Sequence, residues 1–414
     1  MRTARGTCDG TLQNGSAKLN RLTPREASVV TVAATRSWLR GLSLAVPLCV
    51  AYALILYLYD PAGPSALLRI PHWDGNHYLS IASEGYYLRP CGQELERIGW
   101  TICGNPWFPG WPYWNRLIAT IFQLDISDSF AYSAAGFGLL AIAATAACSF
   151  LLVNPSELRI QHVSRVAPAL CALIALLQPA GFQLFTHFPY AFVLTLSWAY
   201  LYVLYGTADG AGRWRILAPL AAAISLAYPT AALVSVFPAG SAFKSSSSAT
   251  FPDRAPAAFS ARIWRSIASG LPFLTGFVVI GAIFYVNFHD VWLFFRHAQQ
   301  FRQDAGILQL GWTTDGLERR QLAVMAWYAG AIVLFWSRGL FRIETITYLL
   351  IVSAISLVSG TTYSIHRYLL MLFPIGGWIA YSRRPAWMKW AWLGVAAALH
   401  FLVFLPRYLE GALV

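Results

Sequence analysis

Charge is what this chain has least of. Its 414 residues are only 12% charged and are 57% hydrophobic, against about 25% charged in an ordinary soluble domain. Apolar runs of roughly 20 residues recur along the whole length, as a bilayer demands. A separate soluble domain is thereby excluded, and a single polytopic all-α membrane domain is expected. Glycine-rich phosphate loops are also missing, which speaks against ATP or a soluble nucleotide-sugar as substrate. No His and Cys spacing matches a metal site, and Asp125 and Asp128 stand too loosely to hold an ion, so no metal is expected. The basic excess, 30 Lys and Arg against 18 Asp and Glu, forms no groove-reading motif, so nucleic acid is not an expected partner. There is no strong internal repeat.

Cysteine is scarce too, at six residues. Cys49, Cys148 and Cys171 fall in apolar runs and read as small core residues, while Cys8 lies in the N-terminal tail. Cys91 and Cys103 share one polar loop. They form a disulfide if that loop faces an oxidising compartment, and remain free thiols otherwise.

Residues 1–37 are polar and basic and read as a disordered cytoplasmic tail; residues 38–414 read as one transmembrane domain. The first span is expected at 38–59. The loop at 60–128 follows, with short helices along the interface at 73–84 and 112–123. Later spans are expected near 129–153, 166–178, 189–206, 267–287, 323–337, 345–358, 367–381 and 390–406, about nine full transmembrane helices in all. Pro229 interrupts the run at 216–239, which reads as two half-length helices that enter and return on one side. That return puts the linker at 240–266 and the basic clusters in the cytoplasm with the N-terminus. The loops at 60–128 and 288–321 then lie outside.

The residues that carry chemistry gather in the first outer loop. On a helix, Asp74, His77, Tyr78 and Ile81 share one face, being spaced three, four and seven apart. A carboxylate there can remove the proton of an acceptor hydroxyl as its oxygen attacks an anomeric carbon. It can equally do no more than cap the helix that starts at that point. Trp73 suits the headgroup level. A second signature follows, Asn105-Pro106-Trp107-Phe108-Pro109-Gly110-Trp111-Pro112. A lipid-phosphate substrate needs a fork of donors, for which Arg367, between His366 and Tyr368, is the best placed. Interfacial anchoring explains that Arg as well. Arg296, His297 and Arg302 are weaker candidates, and His187 reads equally as a packed histidine with no role.

Trp73-Asp74, His77-Tyr78, Ile81-Ala82 and Gly85-Tyr86, then Phe108-Pro109-Gly110-Trp111-Pro112, resemble the second mannosyltransferase of glycosylphosphatidylinositol-anchor assembly, the PIG-V type, and its prokaryotic relatives. Ser364-Ile365-His366-Arg367-Tyr368 with Phe373-Pro374 is similar to a late element of that family. The resemblance is strong over about 71–123 and collinear but weak elsewhere. It implies a GT-C glycosyltransferase fold, with Asp74 as the catalytic carboxylate and polyprenyl-phosphate mannose as the donor. There would be no cofactor beyond that co-substrate, and an α-linked product would form by inversion. The chain departs from the family pattern at Gln178-Pro179, at Phe188-Pro189-Tyr190 and at Tyr228-Pro229-Thr230.

The expectation is therefore a multi-pass glycosyltransferase of a bacterial plasma membrane, with its site on the extracytoplasmic face. Mannose would pass to a hydroxyl of a glycolipid or protein acceptor. Asp74 would act as base, His77, Tyr78 and Trp73 would orient base or acceptor, and Arg367, His366 and Tyr368 would hold the phosphate. Trp107, Phe108, Pro109 and Trp111 would form the pocket wall. The alternatives are a transporter or flippase of polyprenyl-linked sugars, a GT-C enzyme using another sugar, and an inactive assembly subunit.

Overall fold

An alanine-rich helix forms the axis of the molecule. The computed structural model describes residues 24–69, 71, 74–90, 102–154, 157, 166–206, 211–245, 259–297, 316–358 and 369–410. Among these, α1 is Pro24–Tyr59, α2 Gly63–Arg69, α3 Asp74–Ser83, α4 Gly110–Phe122 and α5 Ile126–Cys148. The small side chains of Ala141, Ala143, Ala144, Ala146 and Ala147 let neighbouring helices lie close to α5. A Cβ at Gly41 of α1 would run into the Ala143 carbonyl, and the Ser37 hydroxyl donates to the Ala147 carbonyl at 2.7 Å. Two further helices, α6 (Ala167–Leu177) and α7 (Tyr190–Gly206), pack on the same axis. There Trp198 Nε1 of α7 donates to Thr145 Oγ1 at 2.9 Å.

The remaining helices are α8 (Ala211–Ala227), α9 (Val236–Ser245), α10 (Phe259–Gly270), α11 (Thr275–Phe288), α12 (Gly316–Leu334), α13 (Ile343–Val358), α14 (Ile375–Tyr381), α15 (Ala386–Leu399) and α16 (Leu405–Leu409). Four segments among the described residues are long and apolar enough to cross a membrane: Ser37–Tyr59, Ile126–Leu152, Phe259–Phe288 and Ala386–Leu409. Ala167–Leu177, Tyr190–Gly206, Arg320–Leu334 and Ile343–Ile355 coincide with other expected spans but are shorter. Prolines explain part of this. Pro179 follows α6, Pro189 precedes α7 and Pro374 precedes α14, and an interior proline removes a helical donor and clashes with the preceding turn.

Three boundaries move. The helix of the first span begins at Pro24 rather than at 38, so the last part of the expected tail is helical; proline is tolerated in a first turn and no glycine follows until Gly41. The expected linker at 240–266 is entered from both sides by α9 and α10. The broken segment turns back at Tyr228–Pro229, but its arms exceed half-length, because α8 begins at Ala211 and places the proline at its end.

Contacts fix the two ends of the bundle. At one end, Arg213 donates to Leu204 O, Arg342 Nε to Leu151 O, Arg383 pairs with Glu157, and Arg384 donates to Leu334 O. Glu344 meets Gly240 there. At the other end, the backbone of Leu226 and Ala227 lies against Gly110. Thus α8 runs from the first end to the second, and the chain returns through the 3-10 turn Pro229–Ser235 and α9. Helices α3 and α4 pack on each other at the second end. Tyr113, Leu117 and Ile121, four residues apart on α4, are exposed while Trp111, Asn115 and Ala119 are buried. Such a split face suits a helix lying at a lipid surface.

Candidate functional site

Helix α3 opens on Asp74, so the carboxylate sits in the first turn, where helix N–H groups favour a negative charge. Asp74 is half-buried. The next residue has to be small: a Cβ at Gly75 would lie 3.2 Å from the Cβ of His187 and 3.6 Å from that of Pro71. His77 and Tyr78 follow one turn on, and both meet Trp107 of the second signature. The ring centroids are 5.7 Å and 6.3 Å away, tilted by 42° and 45°. Trp107 also meets His297 edge-on at 6.3 Å.

A polar frame holds the two signatures together. After α3, strand β1 (Leu88–Pro90) pairs antiparallel with β2 (Ile102–Gly104), setting Leu88 opposite Gly104. Asn105, fully buried, donates from Nδ2 to Ser80 Oγ and to Gly85 O, each at 3.0 Å, and accepts at Oδ1 from the Tyr87 N–H at 2.9 Å. The Tyr86 hydroxyl donates to Trp107 O at 2.7 Å. Burial, with a smaller contribution from Tyr113, pushes the Tyr86 phenol above its ordinary value, so it stays a donor.

The second signature reads differently once its surroundings are known. Phe108 is 1% exposed and packs edge-on against Phe277 and Phe294, at 5.4 Å and 5.0 Å. Trp111 is wholly buried against Phe130 and Phe192, at 5.7 Å and 5.5 Å. Its indole N–H donates to His187 O at 2.7 Å. A Cβ at Gly110 would sit 2.7 Å from Ala227 N. Phe108, the buried Pro109, Gly110 and Trp111 therefore brace the turn from behind. Trp107 is the member that faces His77 and Tyr78.

His187 is packed and hydrogen-bonded, one of the two readings its place in the sequence left open. It is 1% exposed, and its Nε2 lies 2.9 Å from Leu68 O of α2. A carbonyl only accepts, so Nε2 carries the hydrogen. Its ring lies 5.2 Å from that of Phe130 of α5, tilted by 47°. His187 thus ties α2, α5, Gly75 and Trp111 into one corner beside Asp74. The only sequence signal was a histidine in a short turn just before Pro189 and α7.

Two of the departures from the family pattern touch each other. Tyr190 and Tyr228 have hydroxyls 3.3 Å apart and ring centroids 5.3 Å apart. Gln178 lies elsewhere in the interior, holding Tyr328 and His400. Arg69 of α2 pairs with Asp128 at 3.1 Å, and among the described residues no three His, Cys, Asp or Glu side chains gather as a metal site. Arg296 pairs with Asp290. Trp73, Cys91, Arg302, His366, Arg367, Tyr368 and the Cys103 side chain lie outside the described residues. No protein-family model matches this chain, and no curated protein matches it.

Proposed function

We propose that the chain is a membrane glycosyltransferase of GT-C type. It would carry mannose from a polyprenyl-phosphate donor to the hydroxyl of a glycolipid or protein acceptor, with inversion at the anomeric carbon. One observation supports this above the others: His77 and Tyr78, on the helix that opens at Asp74, meet Trp107 of the second signature, on a frame of hydrogen bonds that ties the two signatures together. A helix cap alone requires no such frame.

Asp74 accepts the proton of the acceptor hydroxyl while that oxygen bonds to the anomeric carbon. The polyprenyl phosphate departs with the electron pair of the broken C–O bond, already an anion and needing no proton. His77 and Tyr78 orient base and acceptor, Trp107 offers an aromatic face to the sugar, and Arg367 with His366 and Tyr368 contacts the donor phosphate. Arg213, Arg342, Arg383 and Arg384 cluster at the end opposite Asp74. By the positive-inside rule that end is cytoplasmic and the Asp74 end extracytoplasmic. A bacterial plasma membrane is the proposed location.

The test is sugar transfer in membranes carrying wild type or Asp74→Asn at equal expression, supplied with radiolabelled polyprenyl-phosphate mannose. Loss of a general base lowers transfer by about 10²–10⁴-fold. Equal transfer by both proteins would remove Asp74 as base. No transfer by wild type would refute this donor.

A further inference from the structure

A second feature of the Asp74 end has no part in that chemistry. Helix α15 does not run straight into α16: a π-helical turn, His400–Phe404, widens it, and Pro406 then deprives the Leu402 carbonyl of its usual helical donor. Beside this irregular stretch is a pocket of about 360 Å³ lined by Arg320, Leu402, Val403, Pro406, Arg407 and Glu410. Because α16 packs on α2, the pocket lies at the same end as Asp74. One lining residue, Leu402, lies inside the apolar segment Ala386–Leu409 and is 77% exposed.

The charges are unusual for this end. Arg69 and Arg296 each have a carboxylate partner there, Asp128 and Asp290. Arg407 pairs with Glu410 at 3.3 Å, inside the pocket itself. Arg320, half-buried on α12, has no carboxylate partner among the described residues. Among the described lining residues two guanidinium groups stand against one carboxylate, an excess of one positive charge. A single phosphodiester neutralises that charge, and a guanidinium fork matches its oxygens. Leu402, Val403 and Pro406 add an apolar wall beside the charges.

We infer that this pocket is a binding site for an anionic phospholipid of the surrounding leaflet, with the headgroup phosphodiester between Arg320 and Arg407 and a chain along Leu402. The exposed Leu402 edge selects the occupant, since a leaflet lipid reaches it without passing through the protein. The site needs the membrane placement alone and stands whether or not Asp74 is catalytic.

Native mass spectrometry of the purified full-length protein tests this. Phosphatidylglycerol, phosphatidylcholine, inorganic phosphate and a polyprenyl phosphodiester are titrated in turn. Phosphatidylglycerol is expected to bind in preference to phosphatidylcholine. Arg320→Gln and Arg407→Gln should each weaken it by about tenfold or more, the loss of one charge-assisted contact, while Arg116→Gln, on the exposed face of α4, leaves it unchanged. Equal binding of phosphatidylcholine, indifference to both substitutions, or competition by inorganic phosphate at matched concentration would overturn the site. Preferential binding of the polyprenyl phosphodiester would overturn the phospholipid as its occupant. If Arg407→Gln is not recovered folded, Arg320→Gln carries the same test, because it leaves the Arg407–Glu410 pair intact. Sugar transfer that persists in Arg320→Gln after lipid binding is lost separates this site from the Asp74 chemistry.

Discussion

Replacing His400 with phenylalanine probes a buried polar node that joins distant parts of the bundle. Tyr52 of α1 donates its hydroxyl to His400 Nε2 at 2.8 Å, and His400 Nδ1 lies 3.0 Å from Gln178 O. Tyr328 of α12 donates to Gln178 Oε1 at 2.8 Å. A carbonyl only accepts, so Nδ1 bears the hydrogen and Nε2 takes the phenol proton. All four elements, α1, α6, α12 and the π-helical turn, are thereby tied together. Phenylalanine keeps a ring of similar size against Tyr52 and Phe182, whose centroids lie 5.6 Å and 5.7 Å away, so little packing is lost. Two hydrogen bonds go, and the Tyr52 hydroxyl and the Gln178 carbonyl lose a partner. Hydrogen bonds between membrane helices are worth about 0.6 kcal/mol on average and up to about 1.7. A cost of about 1–3 kcal/mol follows. The measurement is unfolding of the full-length protein from mixed micelles by increasing detergent fraction, followed by far-UV circular dichroism. A cycle with Tyr52→Phe should show the two substitutions to be coupled, because they share one bond. Full stability of His400→Phe, or strict additivity in the cycle, would refute the node.

Other outcomes follow from the site's frame. Gly110→Ala places a methyl 2.7 Å from the α8 backbone, so a loss of about 1–3 kcal/mol is expected in the same unfolding assay. Asn105→Ala removes three partly buried hydrogen bonds, a loss of roughly 3 kcal/mol at about 1 each; faster proteolysis between β1 and β2 is the readout. The Tyr86 phenol is raised by burial in the folded protein. Its contribution to stability is complete below the unfolded value of about 10 and declines as pH rises past it, since only the unfolded phenol then ionises. Tyr86→Phe should therefore flatten the loss of stability above about pH 10; an unchanged slope would show that the phenol is not shielded.

Much of the site's local structure was legible. Helices α3 and α4 begin and end within two residues of the expected interfacial helices, because each combines an apolar stripe with a sharp start at Asp74 or at Pro109-Gly110. The break at Tyr228–Pro229 was visible in the proline itself. Helix α2 was not, since seven residues carry too little periodicity to register, although Gly63-Pro64 marks its start. What Phe108 and Trp111 pack against was not legible for a related reason. An aromatic residue reads the same whether it faces a pocket or the core, and only Phe277, Phe294, Phe130 and Phe192 show which.

The chain by itself determined its class, because hydropathy accumulates residue by residue: few charges and long apolar runs mark helices able to cross a membrane without any knowledge of neighbours. It also determined where Asp74, His77 and Tyr78 share a helical face, a matter of three- and four-residue spacing. Tertiary structure alone decided what that face meets. His187 reaches Leu68 across 119 positions and Trp111 across 76; Tyr52 reaches His400 across 348. Such pairings depend on which helices pack side by side, and no local periodicity encodes that.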